Sequence, residues 1–167
     1  MSDIHFIITG GTIDSSYNPV NETAEPNEES VIPYYMRHKI KPHGEYSFEV
    51  VCLKDSSDIT DGIREQIAQS VKKANSNVVI ITHGTVTMAE TAEFLNNHLD
   101  GTDKVVVLVG AMIPLKEFAM SDAGFNLGYA VAAAQNMESG VYVCMNAQVF
   151  NAGETVKDTK QARFVKR

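Results

Sequence analysis

VVIITHGTVTMAETAEFL, residues 78–95, decides how the rest of the chain is read. Its first five residues are apolar and mostly β-branched, which suits a buried strand. From Met88 the apolar residues fall at helical spacing, and Met88, Ala92, Leu95 and Leu99 share one face. Between strand and helix lies the small polar turn HGTVT (83–87). Thr87 and Glu90 have the spacing of a capping box, which would start the helix just after HGT. In open α/β sheets such turns, at the carboxyl ends of the strands, are where ligands bind. Val86 is the misfit there, because an isopropyl group is a poor tool for chemistry.

The same alternation extends in both directions. Apolar runs recur at 4–9, 46–53, 77–82, 104–110 and 140–146, and near-continuous runs of this kind suit strands covered on both faces. Helical patterns lie at 60–74, 87–99 and 122–137. Ile63, Ile67, Val71 and Ala74 line the first, with Thr60 or Asp61 as its cap. In the third, Phe125, Tyr129 and Ala132 form a stripe, Asp122 is the expected cap, and Gly128 would allow close packing on a sheet. Strands alternating with helices predict a single-domain, three-layer α/β fold with a mostly parallel sheet, of Rossmann or flavodoxin-like type. Residues 14–44 break the alternation. They are rich in Asn, Glu, Pro and Tyr, with a short helix expected near Glu29–Arg37, and are read as a lid. The tail after Asn146 shows no clear period.

Composition narrows the function. With 44% apolar and 21% charged residues the 167-residue chain is globular, and its net charge of −7 argues against nucleic acid or an anionic membrane as partner. No apolar run approaches the ~20 residues that span a bilayer, and no signal-peptide pattern opens the chain. Cys52 and Cys144 sit in apolar runs and read as buried reduced thiols of a cytoplasmic protein. No Cys/His cluster has metal-ligand spacing, so neither a metal nor a cofactor is expected.

Polar residues gather after three strands, in TGGTIDSSY (9–17), KDSSDIT (54–60) and THGTVT (82–87). Local turn chemistry explains any one of these but explains all three poorly. TGGT lacks the Lys-Ser/Thr pair of a phosphate loop, and GxGxxG is absent, so nucleotide binding is set aside. A threonine hydroxyl after a glycine pair can approach a carbonyl and attack it, with freed backbone N–H groups holding the oxyanion. There is no Ser-His-Asp set. His5, His38, His43 and His98 read as strand or surface residues, and His83 as a structural, hydrogen-bonding one.

TGGTI (9–13), DSSD (55–58), HGTVTMAETAEFL (83–95), VVLVGAM (106–112) and SDAGFNLGYAV (121–131) resemble, in order, the bacterial-type L-asparaginase/glutaminase family. The likeness runs from about residue 3 to about residue 160. The usual member is about twice as long, so the chain reads as the amino-terminal catalytic domain, in a single-domain form spanning 1–167. The resemblance implies hydrolysis of L-asparagine to L-aspartate and ammonia through a threonine acyl-enzyme. By it, Thr12 matches the nucleophile, Thr85 the second catalytic threonine, and Lys157 the lysine that hydrogen-bonds it. Tyr17 is the nearest candidate for the lid tyrosine. Ser56 and Ser57 match the pair that binds the substrate's α-carboxylate and α-amino groups, with Asp58 as a supporting acid. Gly11, Gly84 and Ala111 fall where backbone lines the substrate.

Val86 stands where the family has an aspartate that pairs with the substrate's ammonium and steadies the lysine. Valine does neither, so impaired turnover is expected. Lys157 would then lose its proton, swing to solvent, or borrow Asp58 or Asp158. The other motif positions keep catalytic residue types. The rival reading is a non-catalytic amino-acid binder on the same scaffold, which Val86 favours. In two-domain members a neighbouring subunit adds an acid near the substrate amine. Either a lid acid such as Glu22 or Glu25 supplies it here or the amine is bound less tightly, and a homodimer or homotetramer is expected because a lone domain exposes apolar surface.

Overall fold

Every apolar run singled out above becomes a strand in the computed structural model, which describes residues 3–116 and 119–167. The central sheet has the order β4-β1-β5-β6-β7-β8, from β1 (Ile4–Gly10), β4 (Tyr46–Lys54), β5 (Val78–Thr82), β6 (Val105–Val109), β7 (Gly140–Met145) and β8 (Gln148–Asn151). The pairs from β4 through β7 are parallel, and β8 adds an antiparallel edge. All five residues of β6 are buried, and successive residues of a strand face opposite ways, so both faces of the sheet centre are covered. That is the expected three-layer α/β arrangement. Strand β4 departs from it: as an edge strand it leaves Glu49 and Val50 exposed.

Three long helices cover the sheet: α2 (Asp61–Lys73), α3 (Met88–His98) and α4 (Ala123–Ala134). Thr60 caps α2 by accepting the Ile63 N–H, as expected. Met88, Ala92, Leu95 and Leu99 are all buried, as the periodicity of α3 required. Two expected caps fail for one reason: tertiary partners claim the side chain. The Thr87 hydroxyl donates to the Ser56 carbonyl (2.7 Å) instead of capping α3. The Asp122 carboxylate accepts from the Met112 and Ile113 N–H groups (both 2.9 Å) instead of capping α4.

The stripe expected on α4 is also wrong. Phe125 is 61% exposed and stacks on Tyr129, Ala132 is exposed, and Gly128 faces open space. The buried face is Ala123, Leu127, Ala130 and Ala134, mostly small residues, while Phe125 lies outside it and Tyr129 packs on the core only in part.

Residues 14–44 are more ordered than their composition suggested. Strands β2 (Ser15–Asn18) and β3 (Thr23–Pro26) form an antiparallel hairpin. A short helix α1 (Ile32–Tyr34) runs on as a π-helical stretch (Tyr35–Ile40), close to the expected span, and Ile32 and Met36 reach the core. The tail is structured too. Asn146 and Ala147, with φ of 55° and 58°, turn β7 back into β8. Then β9 (Thr155–Asp158) and β10 (Arg163–Lys166) make a second hairpin, tied down by the buried Phe164.

Candidate active site

Parallel strands of different lengths end at one edge of the sheet, and their exit turns nest there. Gly11, with φ of 78°, follows β1, and its N–H donates to the Lys54 carbonyl at the end of β4 (2.8 Å). A methyl group at Gly11 would strike the Gly84 backbone, so the turns after β1 and β5 touch. One at Gly84 would lie 2.6 Å from Ser56 Cβ, so the turn after β5 also touches the turn after β4. One at Gly110 would lie 3.3 Å from Thr85 Cγ2, which brings in the turn after β6. No side chain fits at these crossings, which is the physical reason for glycine there.

The crowded turns therefore converge. Thr12 opens a short 3₁₀ turn (Thr12–Asp14) and is half-buried, its hydroxyl without a partner among the described residues. Ser56 is buried, and its Oγ accepts the Val86 N–H at 3.2 Å. Thr85 is buried beside Gly84, and Ala111 is buried in the turn after β6. Lys157 reaches in from β9, and its Nζ donates to Thr85 Oγ1 at 2.7 Å. The β9–β10 hairpin is held in place for this by Phe164, whose N–H donates to Asn146 Oδ1 (2.9 Å). Asn126 on α4 links that corner to β6 through the Gly110 carbonyl (3.0 Å) and to the Asn146 N–H (3.3 Å).

Other expected residues stand apart. Tyr17 lies on the β2–β3 hairpin, 47% exposed, lining an open cleft with Asn27, Glu28 and Lys116. Its hydroxyl bonds to nothing among the described residues. The Ser57 hydroxyl donates to the Asp55 carboxylate, which also accepts the Ser57 N–H (2.8 Å). Asp58 is exposed. The Glu25 carboxylate is spent on Asn18 and Asn21.

Val86 is 63% exposed and offers Lys157 no charge. Burial lowers the Lys157 pKa, and the negative charge that opposes this is Asp55. This corrects the expected loan from Asp58 or Asp158: Asp158 turns away to cap the β9–β10 loop through the Lys160 and Gln161 N–H groups. Asp55 is held below the usual carboxylate range chiefly by the Ser57 hydroxyl and amide, with smaller help from His83 and Lys157. Of the alternatives for Lys157, burial thus favours an easier loss of the proton, while the Thr85 bond holds the chain inward.

His83 is structural, as expected. Fully buried, it pairs Nδ1 with the Gly84 carbonyl (2.8 Å), and burial drops its pKa to about 4. The neutral ring then carries its proton on Nδ1, since the carbonyl can only accept. Sequence reasoning missed Asp14. It is buried, and its Oδ1 accepts the Asn27 amide (3.1 Å) and the Val31 N–H (2.9 Å). An acid two residues beyond the candidate nucleophile was the available signal. Among the described residues no group of His, Cys, Asp and Glu could hold a metal ion.

Nested turns thus bring two threonines, a buried serine and a lysine together at one end of a parallel sheet. The family model for "Asparaginase, N-terminal" matches residues 3–164, and the chain belongs to that family. It is 32% identical over 171 residues to a probable periplasmic L-asparaginase of Haemophilus influenzae, covering 97% of this chain and 48% of that protein. It is 31% identical over 162 residues to L-asparaginase 1 of Escherichia coli K12, covering 92% of this chain and 47% of that protein. The solved structure of a probable cytoplasmic L-asparaginase from Campylobacter jejuni superposes with a TM-score of 0.80 at 32% identity, covering 99% of this chain and 52% of that one. The chain thus spans about half the length of the relatives it matches.

Proposed function

We propose that this chain carries an L-asparaginase site, for hydrolysis of L-asparagine to L-aspartate and ammonia, with turnover impaired by Val86. The observation that carries the reading is the 2.7 Å bond from Lys157 Nζ to Thr85 Oγ1, set where the turn bearing Thr12 packs on Gly84. Thr12 Oγ attacks the side-chain amide carbon, and the hydroxyl proton passes to the amide nitrogen. Turn N–H groups hold the oxyanion. The C–N bond breaks, ammonia leaves, and water cleaves the ester, returning the proton to Thr12. Thr85, poised by Lys157, positions a reactant for one of these steps, and Ala111 lines the pocket at the scissile amide.

Ser56 suits the substrate's α-carboxylate, since its hydroxyl hydrogen is uncommitted among the described residues while its oxygen accepts from Val86. Ser57 is the weaker partner for the α-amino group, because its hydroxyl already serves Asp55. Residues 14–44 act as the lid, with Tyr17 and the acids Glu22 and Glu25 brought inward on closure, Glu25 giving up Asn18 and Asn21. Free Cys52 and Cys144 fit a cytoplasmic setting, although one relative is named periplasmic. The exposed Phe125, stacked on half-buried Tyr129, fits association into a homodimer or homotetramer.

The test is ammonia release from L-asparagine by the Val86→Asp variant, with and without Thr12→Ala. Release that depends on Thr12 supports the reading. Undiminished release without the Thr12 hydroxyl removes it. Tight L-aspartate binding with no turnover, unrepaired by Val86→Asp, makes the chain an amino-acid binder instead.

A further inference from the structure

We propose that Asp14 is a positioning residue that clasps the segment 27–31 onto the turn bearing Thr12, so that one carboxylate sets both the nucleophile and the lid. The inference deepens the asparaginase reading by naming what couples the lid to the site.

Four bonds meet at this point. Asp14 Oδ1 accepts the Val31 N–H at 2.9 Å and the Asn27 side-chain amide at 3.1 Å. The Asp14 carbonyl accepts the Asn27 N–H at 3.0 Å. Asn27 Oδ1 in turn accepts the Ser16 hydroxyl at 2.5 Å. The whole 15–26 hairpin is thus closed into a loop whose two ends are held by residue 14. On its other side Asp14 is joined to the site, because its own N–H donates to the Gly11 carbonyl (3.0 Å), as does the Ser15 hydroxyl (2.8 Å). Gly11 is the residue that touches Gly84.

Burial makes the clasp costly to replace. Asp14 is wholly buried, and its Oδ2 has no partner among the described residues. A carboxyl group is not kept in such a place for its own solvation, and a scaffold needing only shape would be served by an apolar side chain. What it supplies is an acceptor for an N–H that would otherwise be stranded at the base of the lid. The following Ile32 is buried in the core, so the clasp also fixes where α1 begins. A shift of Asp14 therefore moves Thr12 and the lid base together.

The test compares Asp14→Ala and Asp14→Asn by amide hydrogen exchange at Val31 and by L-aspartate affinity. Asp14→Ala is expected to speed Val31 exchange about tenfold or more, while Ile80 and Val107 in the sheet stay within about twofold. Aspartate affinity falls about tenfold. Asp14→Asn keeps the Oδ1 acceptor and restores most of both. Should Asp14→Ala not fold, Asn27→Ala removes one arm of the clasp and is expected to speed Val31 exchange about threefold. Val31 exchange within about twofold of the parent in the folded variant overturns the proposal. So does equal loosening of Val31 and the sheet, since the role is then one of general stability. Exchange is read without turnover: if Val31 loosens while Val86→Asp releases no ammonia, the clasp stands and the hydrolase reading falls.

Discussion

Lys157 Nζ donates to Thr85 Oγ1 across 2.7 Å, although 72 residues separate the two in the chain. The bond joins the terminal hairpin to the turn after β5. It holds an amine whose pKa burial has lowered against a hydroxyl, and the proposed mechanism uses that pair to steady a proton. Removing the amine while keeping the stem isolates this role. In the Val86→Asp background, Lys157→Met is expected to cut kcat by about 10²-fold or more, the usual range for a lost acid-base partner, and to change KM little. Steady-state ammonia release checks this. Asp55→Asn removes the charge that opposes the burial effect, so the Lys157 pKa is expected to fall further. The alkaline limb of any pH profile that reports it moves to lower pH.

Val86→Asp places a carboxylate beside Thr85. A deeply buried charge partner is worth ~3–5 kcal/mol when only one side is removed. Position 86, however, is 63% exposed, and water at an exposed site weakens the attraction. The gain in kcat/KM is therefore expected near the low end, about 10²-fold, or roughly 3 kcal/mol of transition-state stabilisation. Kinetics of the two chains side by side decide it. A Val86→Asn control separates charge from shape: it should recover little.

How much of this was legible before the structure depended on whether the signal was local. The sheet was readable because β1, β5 and β6 are buried on both faces and spell it in nearly continuous apolar runs, broken in β1 only by His5. The gathering of the turns that carry Thr12, Ser56 and Thr85 was readable because polar residues crowd three strand exits, and strand exits of a parallel sheet share one end. Lys157 was reachable only through family resemblance, since nothing in VKDT announces a partner at residue 85. The α4 stripe misled because aromatics were taken as the buried face, whereas Ala and Leu at 123, 127, 130 and 134 form it. The β7–β8 turn was missed because Asn-Ala carries a weaker hairpin signal than Asn-Gly. The failed caps at Thr87 and Asp122 show side chains drawn off by backbone groups far away in sequence, which no local pattern records.

His83 makes stability depend on pH. Its folded pKa, about 4, lies below the ordinary value of 6.5, so between those values the unfolded chain binds a proton that the folded chain does not. Stability is then full above pH 6.5 and is lost as pH falls towards 4. At 1.36 kcal/mol per pKa unit, the loss amounts to about 3 kcal/mol. Urea unfolding at intervals across that range is expected to show the decline, and His83→Gln, which cannot charge, should flatten it. An equal slope in the variant would assign the effect to other groups.

Gly84 is a tightly boxed crossing in the site, and a small change can probe it. A methyl group there would sit 2.6 Å from Ser56 Cβ and 2.7 Å from Ser56 Oγ, well inside contact distance, and Ser56 is itself buried. Ser56 cannot simply rotate away, because its Oγ accepts the Val86 N–H and its carbonyl accepts the Thr87 hydroxyl. Gly84→Ala must therefore push the turns after β4 and β5 apart. Overpacking of this kind costs about 1–3 kcal/mol, seen as a lower urea midpoint with an unchanged slope. On the proposed function the same displacement moves Ser56 away from the carboxylate it would bind, so L-aspartate affinity should fall more steeply than stability does. Gly62→Ala serves as the control: a methyl group there approaches only Thr60 Oγ1, at 3.8 Å, on an exposed helix start, so L-aspartate affinity should stay at the parental value and stability should hold or rise by up to about 1 kcal/mol.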